Sequence, residues 1–424
     1  MTSRPAVGST TVSPFAALGL SPALLRAVAE LGHLAPTAIQ AAAIPAALQG
    51  RDIIGCAHTG SGKTAAFALA LLHRLDVTAR PAWRRTYALV LVPTRELAVQ
   101  VGDTIRALAR HMADPVKVAV VFGGVSVNPQ MLGLRGGAEV VVATPGRLLD
   151  LVDRNAVKLG DVDLLVLDEA DRLLDEGFAD ELARITALLP TRRQSLFFSA
   201  TFAPAVQALA AALLRDPLHV EVAATLADGL PAIEQHAVEV DAAQRTPLLR
   251  HLVEQGGWSR VLVFVATRYA SEHVADKLRR AGLAAAAFHG DLSQGARSRV
   301  LGDFQRGTLR VLLATDMAAR GLHIDGLPVV VNYDLPRSAH DHTHRIGRTA
   351  RAGATGLALS FVSAATEAHF RLIEKRQGQR LPRERIAGFE PREPAVPAPA
   401  AGGGIKGRRK SKKDKLREAA AGGA

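Results

Sequence analysis

The chain has 424 residues, 48% of them apolar and 4% aromatic, with a single cysteine, Cys56. That length allows two or three cored domains, the composition excludes a disordered chain, and one thiol excludes an intrachain disulfide framework and suits a reducing compartment. The net charge of +12 points to polyanionic partners, but residues 406–418 hold eight bases against two acids, so half of the excess lies in that one stretch. The N-terminus lacks a basic segment followed by an apolar core, and no run of about 18 or more residues is both apolar and uncharged. The expectation is a soluble cytoplasmic protein with no membrane span.

Short apolar runs alternate with helical patterns from about residue 50 to residue 362. Strands are expected at 52–57, 87–92, 117–122, 139–143, 164–167 and 195–199, then at 235–240, 260–265, 284–288, 311–314, 328–332 and 356–361. Strands alternating with helices argue for an α/β fold with parallel sheets built from βαβ units. Between the two sets lies 223–231, small-residued and ending in Gly229-Leu230-Pro231, which reads as a hinge. The domains then run 1–222 and 232–381. From Pro382 the chain turns rich in proline, alanine and glycine and then basic, a composition that cannot bury a core, so 382–424 is expected to be a disordered basic tail.

The first expected strand runs into Ala57-His58-Thr59-Gly60-Ser61-Gly62-Lys63-Thr64, close to the phosphate-loop pattern but with alanine in place of its first glycine. Gly60 and Gly62 let backbone N–H groups approach phosphate oxygens, Lys63 reaches the β- and γ-phosphates, and the Thr64 hydroxyl ligates Mg2+. A helix opening there adds its positive end. Further on, Leu164-Leu165-Val166-Leu167 ends abruptly in Asp168-Glu169-Ala170-Asp171. Alone, this reads equally well as a buried strand ending in a ligand crevice or as an acid-rich helix start. With a phosphate loop upstream, Asp168 becomes the carboxylate that holds Mg2+ and Glu169 the group that positions the attacking water. No Asn-Lys-x-Asp guanine reader is evident, so ATP is the expected nucleotide.

At Asp168–Asp171 the sequence resembles the DEAD-box RNA helicase family, and further motifs of that family follow in order over about residues 15–378. They are Phe15 with Gly32–Gln40, Pro93–Ala98, Gly123-Gly124, Thr144–Arg147, Ser199–Thr201, Val263–Thr267, Gln294–Arg297, Ala314–Gly321 and His344–Arg351. Within the family, 121–130 and 155–159 look most like the bacterial RhlE type. The resemblance implies two tandem RecA-like doubly wound parallel-sheet domains. It implies that Gln40 reads the adenine edge while Phe15 packs on the base, and that Thr59, Gly60, Ser61, Gly62, Lys63, Thr64, Asp316 and His323 complete the nucleotide site. Arg348 and Arg351, three residues apart and so able to share a helical face, are implied to be fingers that reach the γ-phosphate when the domains close. Asp171, Ser199, Thr201 and His344 would couple the domains.

RNA contacts are expected from turns and small polar groups, because phosphates position a strand without reporting its sequence. The first-domain candidates are Thr94, Arg95, Gly123, Gly124, Thr144 and Arg147; those of the second are Arg268, Gly290, Gln294, Arg297 and Thr315. Three tyrosines and two tryptophans are too few for an aromatic platform, so sequence-specific readout is not expected. The chain departs from the family at His323, where an aspartate is usual, and at His33, Ala350 and Glu176. The leading expectation is an ATP-dependent RNA helicase that locally separates short duplexes, with ribosomal or RNA-decay proteins as suitable partners and no need of more than a monomer. An ATP-gated RNA clamp that unwinds little is the alternative, and a DNA helicase is a third reading.

Overall fold

The computed structural model describes residues 14–57, 60–79, 81, 83–175, 177–222, 233–319, 324, 327–349 and 355–392. The first sheet contains β1 (Ile53–Ala57), β2 (Ala88–Leu91), β3 (Val118–Val121), β4 (Val140–Ala143), β5 (Leu164–Leu167), β6 (Gln194–Ser199) and β7 (Leu218–Val222). The second contains β8 (Ile233–Glu239), β9 (Val261–Phe264), β10 (Ala285–Phe288), β11 (Val311–Ala314), β12 (Val329–Asn332), β13 (Gly356–Val362) and β14 (Arg383–Glu384). The strand orders are β3-β4-β2-β5-β6-β1-β7 and β10-β11-β9-β12-β13-β8-β14, with neighbours parallel. Numbered from its own first strand, each sheet has the same order, so one doubly wound topology occurs twice.

The sequence makes these strands because they are apolar on both faces. Leu164 and Val166 enter one core with the helix Lys63–Val77, while Leu165 and Leu167 enter the opposite core with Leu148 and Ile185. Burying each such side chain contributes about 1.5–3 kcal/mol. The helix Lys63–Val77 is buried without a break from Ala66 to Leu72, as a helix wedged between a sheet and other helices must be.

Twelve strands fall where the apolar runs place them, the edge strands β3 and β10 among them; the opposite edges β7 and β14 do not announce themselves. The β7 sequence Leu-His-Val-Glu-Val alternates apolar and polar because an edge is only half covered. The strand β14 corrects the expected tail boundary. Residues 382–392 belong to the second domain: β14 pairs with β8, and the Arg383 guanidinium is held by Glu367 and Glu374 at 2.9 and 2.8 Å. Ile386 and Phe389 pack on the core, and the Arg392 N–H donates to Asp241 at 2.7 Å. Composition does not show this because β8 and Asp241, far back in the sequence, hold the segment together with Glu367 and Glu374. The hinge 223–231 lies outside the described residues.

A buried polar chain stiffens the second domain beneath its arginine-rich helix. Arg345 Nη1 donates to Asn332 Oδ1, Asn332 Nδ2 to Ser360 Oγ, and Gln377 Nε2 to His342 Nδ1, which leaves His342 Nε2–H to donate to Ser360. Burial and then the Arg345 guanidinium hold the His342 imidazole down to about 4. Between about pH 6.5 and 4 the unfolded chain therefore takes up a proton that the fold refuses, and stability falls as pH falls. The full loss across that window is on the order of 3 kcal/mol. Urea unfolding at pH 7 and pH 5 should show this slope, and a His342→Phe variant should lose less stability over the same interval.

Candidate active site

The carboxyl ends of β1, β5 and β6 bring together the first domain's candidate reacting groups. The loop after β1 leads to Gly62, whose φ of 93° is left-handed backbone and where a Cβ would collide with the Gln40 side chain. Gln40 pins this loop: its Nε2 donates to Gly62 O at 3.1 Å, while its Oε1 accepts the Thr37 N–H at 3.0 Å. One N–H and one lone pair of the amide remain for a base edge. Lys63, buried, donates to Ala57 O at 2.5 Å. Thr64 is half-buried beside it. Phe15 departs from expectation: at 1% exposure it lies inside the first domain's core and presents no open ring face to a base.

At the end of β5, Asp168 Oδ1 accepts the Glu169 N–H at 3.0 Å. Burial pushes the Asp168 carboxyl up to about 7, against the pull of Lys63 and with the help of Glu169. Glu169 has a φ of 51°, left-handed for a residue with a side chain, a conformation that costs about 1 kcal/mol or more and concentrates at functional sites. Its Oε2 is buried with no hydrogen-bond partner, and Arg172 Nε lies 3.8 Å away. Asp171 turns toward β6. Its Oδ2 accepts from the Thr201 N–H and hydroxyl at 3.0 and 2.9 Å, and its own N–H donates to Ser199 Oγ at 3.3 Å. Asp171, Ser199 and Thr201 thus form one contiguous cluster.

The second domain faces this cluster. Arg172 lines a small interdomain cavity with Asp316, His344, Arg345 and Arg348. The Arg345 guanidinium forks onto both Asp316 oxygens at 2.6 and 2.7 Å and lies over the Phe264 ring. Asp316, expected in the nucleotide site, uses its carboxylate to anchor Arg345, a positioning residue that the sequence does not single out. Arg348, one turn on and 6% exposed, faces the seam. Thr59, His323 and Arg351 lie outside the described residues, as do Glu176 and Ala350.

The remaining candidates follow equivalent strands in the two sheets. Thr94 and Arg95 follow β2, as Thr267 and Arg268 follow β9; each threonine caps the next helix, at 3.3 Å to the Leu97 N–H and 3.0 Å to the Ala270 N–H. Gly123 and Gly124 follow β3, as Gly290 follows β10; Thr144 follows β4, as Thr315 follows β11. Gly124 has a φ of 78°, and a Cβ there would meet the Arg95 guanidinium. Gln130, which sequence reasoning passed over, fixes this loop by exchanging two 3.0 Å bonds with the Phe122 backbone. Arg147 donates to Val125 O at 2.7 Å, and Gln294 begins the helix Gln294–Gln305. Arg297 also departs from expectation: it is buried, and its Nε and Nη2 lie 2.7 and 2.6 Å from Glu96 Oε1 in the other domain. Its remaining Nη1 donates to His289 O, so this guanidinium joins the domains and is not open to a phosphate.

Residues 37–209 match the DEAD/DEAH box helicase domain and residues 244–353 the helicase conserved C-terminal domain. The Escherichia coli ATP-dependent RNA helicase DbpA is 45% identical over 342 residues, 81% of this chain and 73% of that protein. The chain belongs to the DEAD/DEAH box helicase family. Another relative in the family, the ATP-dependent RNA helicase DeaD of Mycobacterium tuberculosis, is 42% identical over 88% of this chain, which spans 65% of DeaD's length. Among solved structures, S. cerevisiae Dbp5 bound to RNA and ADP BeF3 superimposes with a TM-score of 0.77 at 32% identity, covering 88% of this chain and 96% of that one. Mss116p bound to ssRNA and AMP-PNP gives 0.78 at 26% identity, covering 90% and 80%. Among the described residues no helix is long and apolar enough to cross a membrane.

Proposed function

We propose that this protein is an RNA-dependent ATPase that closes its two domains on one RNA strand and separates short duplexes locally. The observation that carries the reading is the division of labour within a duplicated topology. The groups suited to phosphoryl transfer follow β1, β5 and β6, and Arg172 after β5 shares a cavity with Arg348 across the seam, whereas the backbone-contact candidates follow β2–β4 and β9–β11. The Glu96–Arg297 pair holds those two latter sets together. ATP is the substrate that closure would assemble, and the names its relatives carry agree with that.

Thr64 and Asp168 fit an Mg2+ ion, because one hydroxyl and one buried carboxylate suffice when phosphates and water supply the other oxygens. Among the described residues there is no cluster of three or more His, Cys, Asp or Glu side chains that would make a self-sufficient metal cage. The ion, when bound, neutralises charge on the β- and γ-phosphate oxygens. Lys63 binds the same phosphates, Glu169 accepts a hydrogen bond from the attacking water through its unpartnered Oε2, and Arg348 stabilises charge developing on the γ-phosphoryl. The Asp171–Ser199–Thr201 cluster ties this chemistry to the second domain's position. The single thiol suits a reducing cytoplasm.

Steady-state ATP hydrolysis with single-stranded RNA, with DNA of the same sequence and with neither tests the reading. RNA should stimulate turnover strongly and DNA little, since 2′-hydroxyl contacts distinguish them; equal stimulation by DNA would favour the DNA-helicase alternative.

A further inference from the structure

Two large aromatic side chains among the described residues are strongly exposed, Trp83 at 72% and Tyr269 at 73%. Trp83 precedes β2 and so lies at the amino-terminal edge of its sheet, away from the crevice. Tyr269 follows β9 at the carboxyl-terminal edge, where Arg268, Gly290 and Thr315 also lie. Single exposed apolar residues are ordinary on protein surfaces. Tyr269 differs in its preparation.

Its ring stacks on His273 one helical turn later, with centroids 5.4 Å apart and planes 12° from parallel. That leaves one face of the phenol backed and the other open. The helix Arg268–Arg280 that carries both rings is capped by Thr267, and two contacts tie it to the loop after β10: an ion pair of Arg268 with Asp291, and a hydrogen bond between Glu272 and His289 at 2.8 Å. In a helix the Cα–Cβ bond tilts toward the N-terminus, so a ring in the first turn leans toward the crevice. Met317, 63% exposed after the adjacent strand β11, adds a second open apolar side chain at the same edge.

We propose that Tyr269, backed by His273, is a stacking ledge for one nucleobase of the RNA strand held by the second domain. This deepens the reading as an RNA-dependent ATPase and rests on it. It revises the expectation of contacts through backbone alone: too few aromatics make a platform, but one prepared ring makes a single base subsite. Every base has a π-face, so the ledge tightens binding and sets the strand's register without selecting sequence.

The test measures affinity for a single-stranded RNA with a non-hydrolysable ATP analogue present, using the unaltered protein, Tyr269→Ala and Tyr269→Phe. Each is also measured on strands carrying one abasic residue at successive positions. Tyr269→Ala should weaken binding about tenfold and Tyr269→Phe little. At one position the abasic strand should bind the unaltered protein about tenfold more weakly and Tyr269→Ala no more weakly than the intact strand does. Binding of Tyr269→Ala within about twofold of the unaltered protein, or losses that multiply at every position, would overturn the ledge. Failure of the unaltered protein to bind any RNA would overturn the underlying ATPase reading instead.

Discussion

Replacing Arg348 by alanine should lower kcat for RNA-stimulated ATP hydrolysis by about 10³–10⁵, the range associated with an arginine finger. The change in KM for ATP should be much smaller, because Lys63 and the phosphate loop in the other domain hold the ground-state phosphates. Arg348 faces the interdomain seam with Arg172, whereas Arg345 is forked onto Asp316 within its own domain. Removing Arg345 strands the one-third-exposed Asp316 carboxylate and breaks the chain to Asn332 and Ser360, so its main effect is on stability. Arg348→Ala should lose turnover out of proportion to any shift in its unfolding midpoint. Steady-state kinetics and urea unfolding on both variants separate the roles.

Glu169→Gln should lower kcat by about 10²–10⁴, the contribution of a positioned general base, and should leave the backbone as it is. Glutamine has the same shape and bears the left-handed φ of 51° no worse than glutamate does. Its amide cannot take a proton from water. Because hydrolysis releases the closed state, this variant should hold RNA longer in the presence of ATP even as duplex separation over many turnovers stops. Single-turnover hydrolysis and RNA dissociation rates measure the two effects independently. An ATP-gated clamp would instead keep its function, or gain, in the same variant.

The sequence exposed whatever depends on local residue type. The central strand β5 was readable because Leu164–Leu167 is apolar on both faces, and the phosphate loop because Gly60, Gly62 and Lys63 stand beside one another. Two of the four edge strands are not readable: β7 alternates like a surface segment, and β14 is a polar Arg-Glu pair held in place by Glu367 and Glu374. The same limit applied at the site. Asp171, Ser199, Thr201 and His344 read as one coupling set; hydrogen bonds join the first three, and His344 lies in the cavity that Arg172 lines. By contrast, Arg297 meets Glu96 from 201 residues away and Asp316 meets Arg345 from 29, and no local pattern announces either pair. Phe15 shows the complementary limit, since an aromatic's residue type does not say whether its ring is open or buried.

The most direct test of local unwinding is the rate of strand separation as a function of duplex length. Stacking averages about 1.4 kcal/mol per step, so distorting three or four steps removes roughly 4–6 kcal/mol, enough to release a duplex of about ten base pairs but not one of about thirty. Measured with saturating ATP on RNA duplexes of about ten, twenty and thirty base pairs, the rate should fall steeply with length. Equal rates across that series would indicate processive translocation and contradict the account.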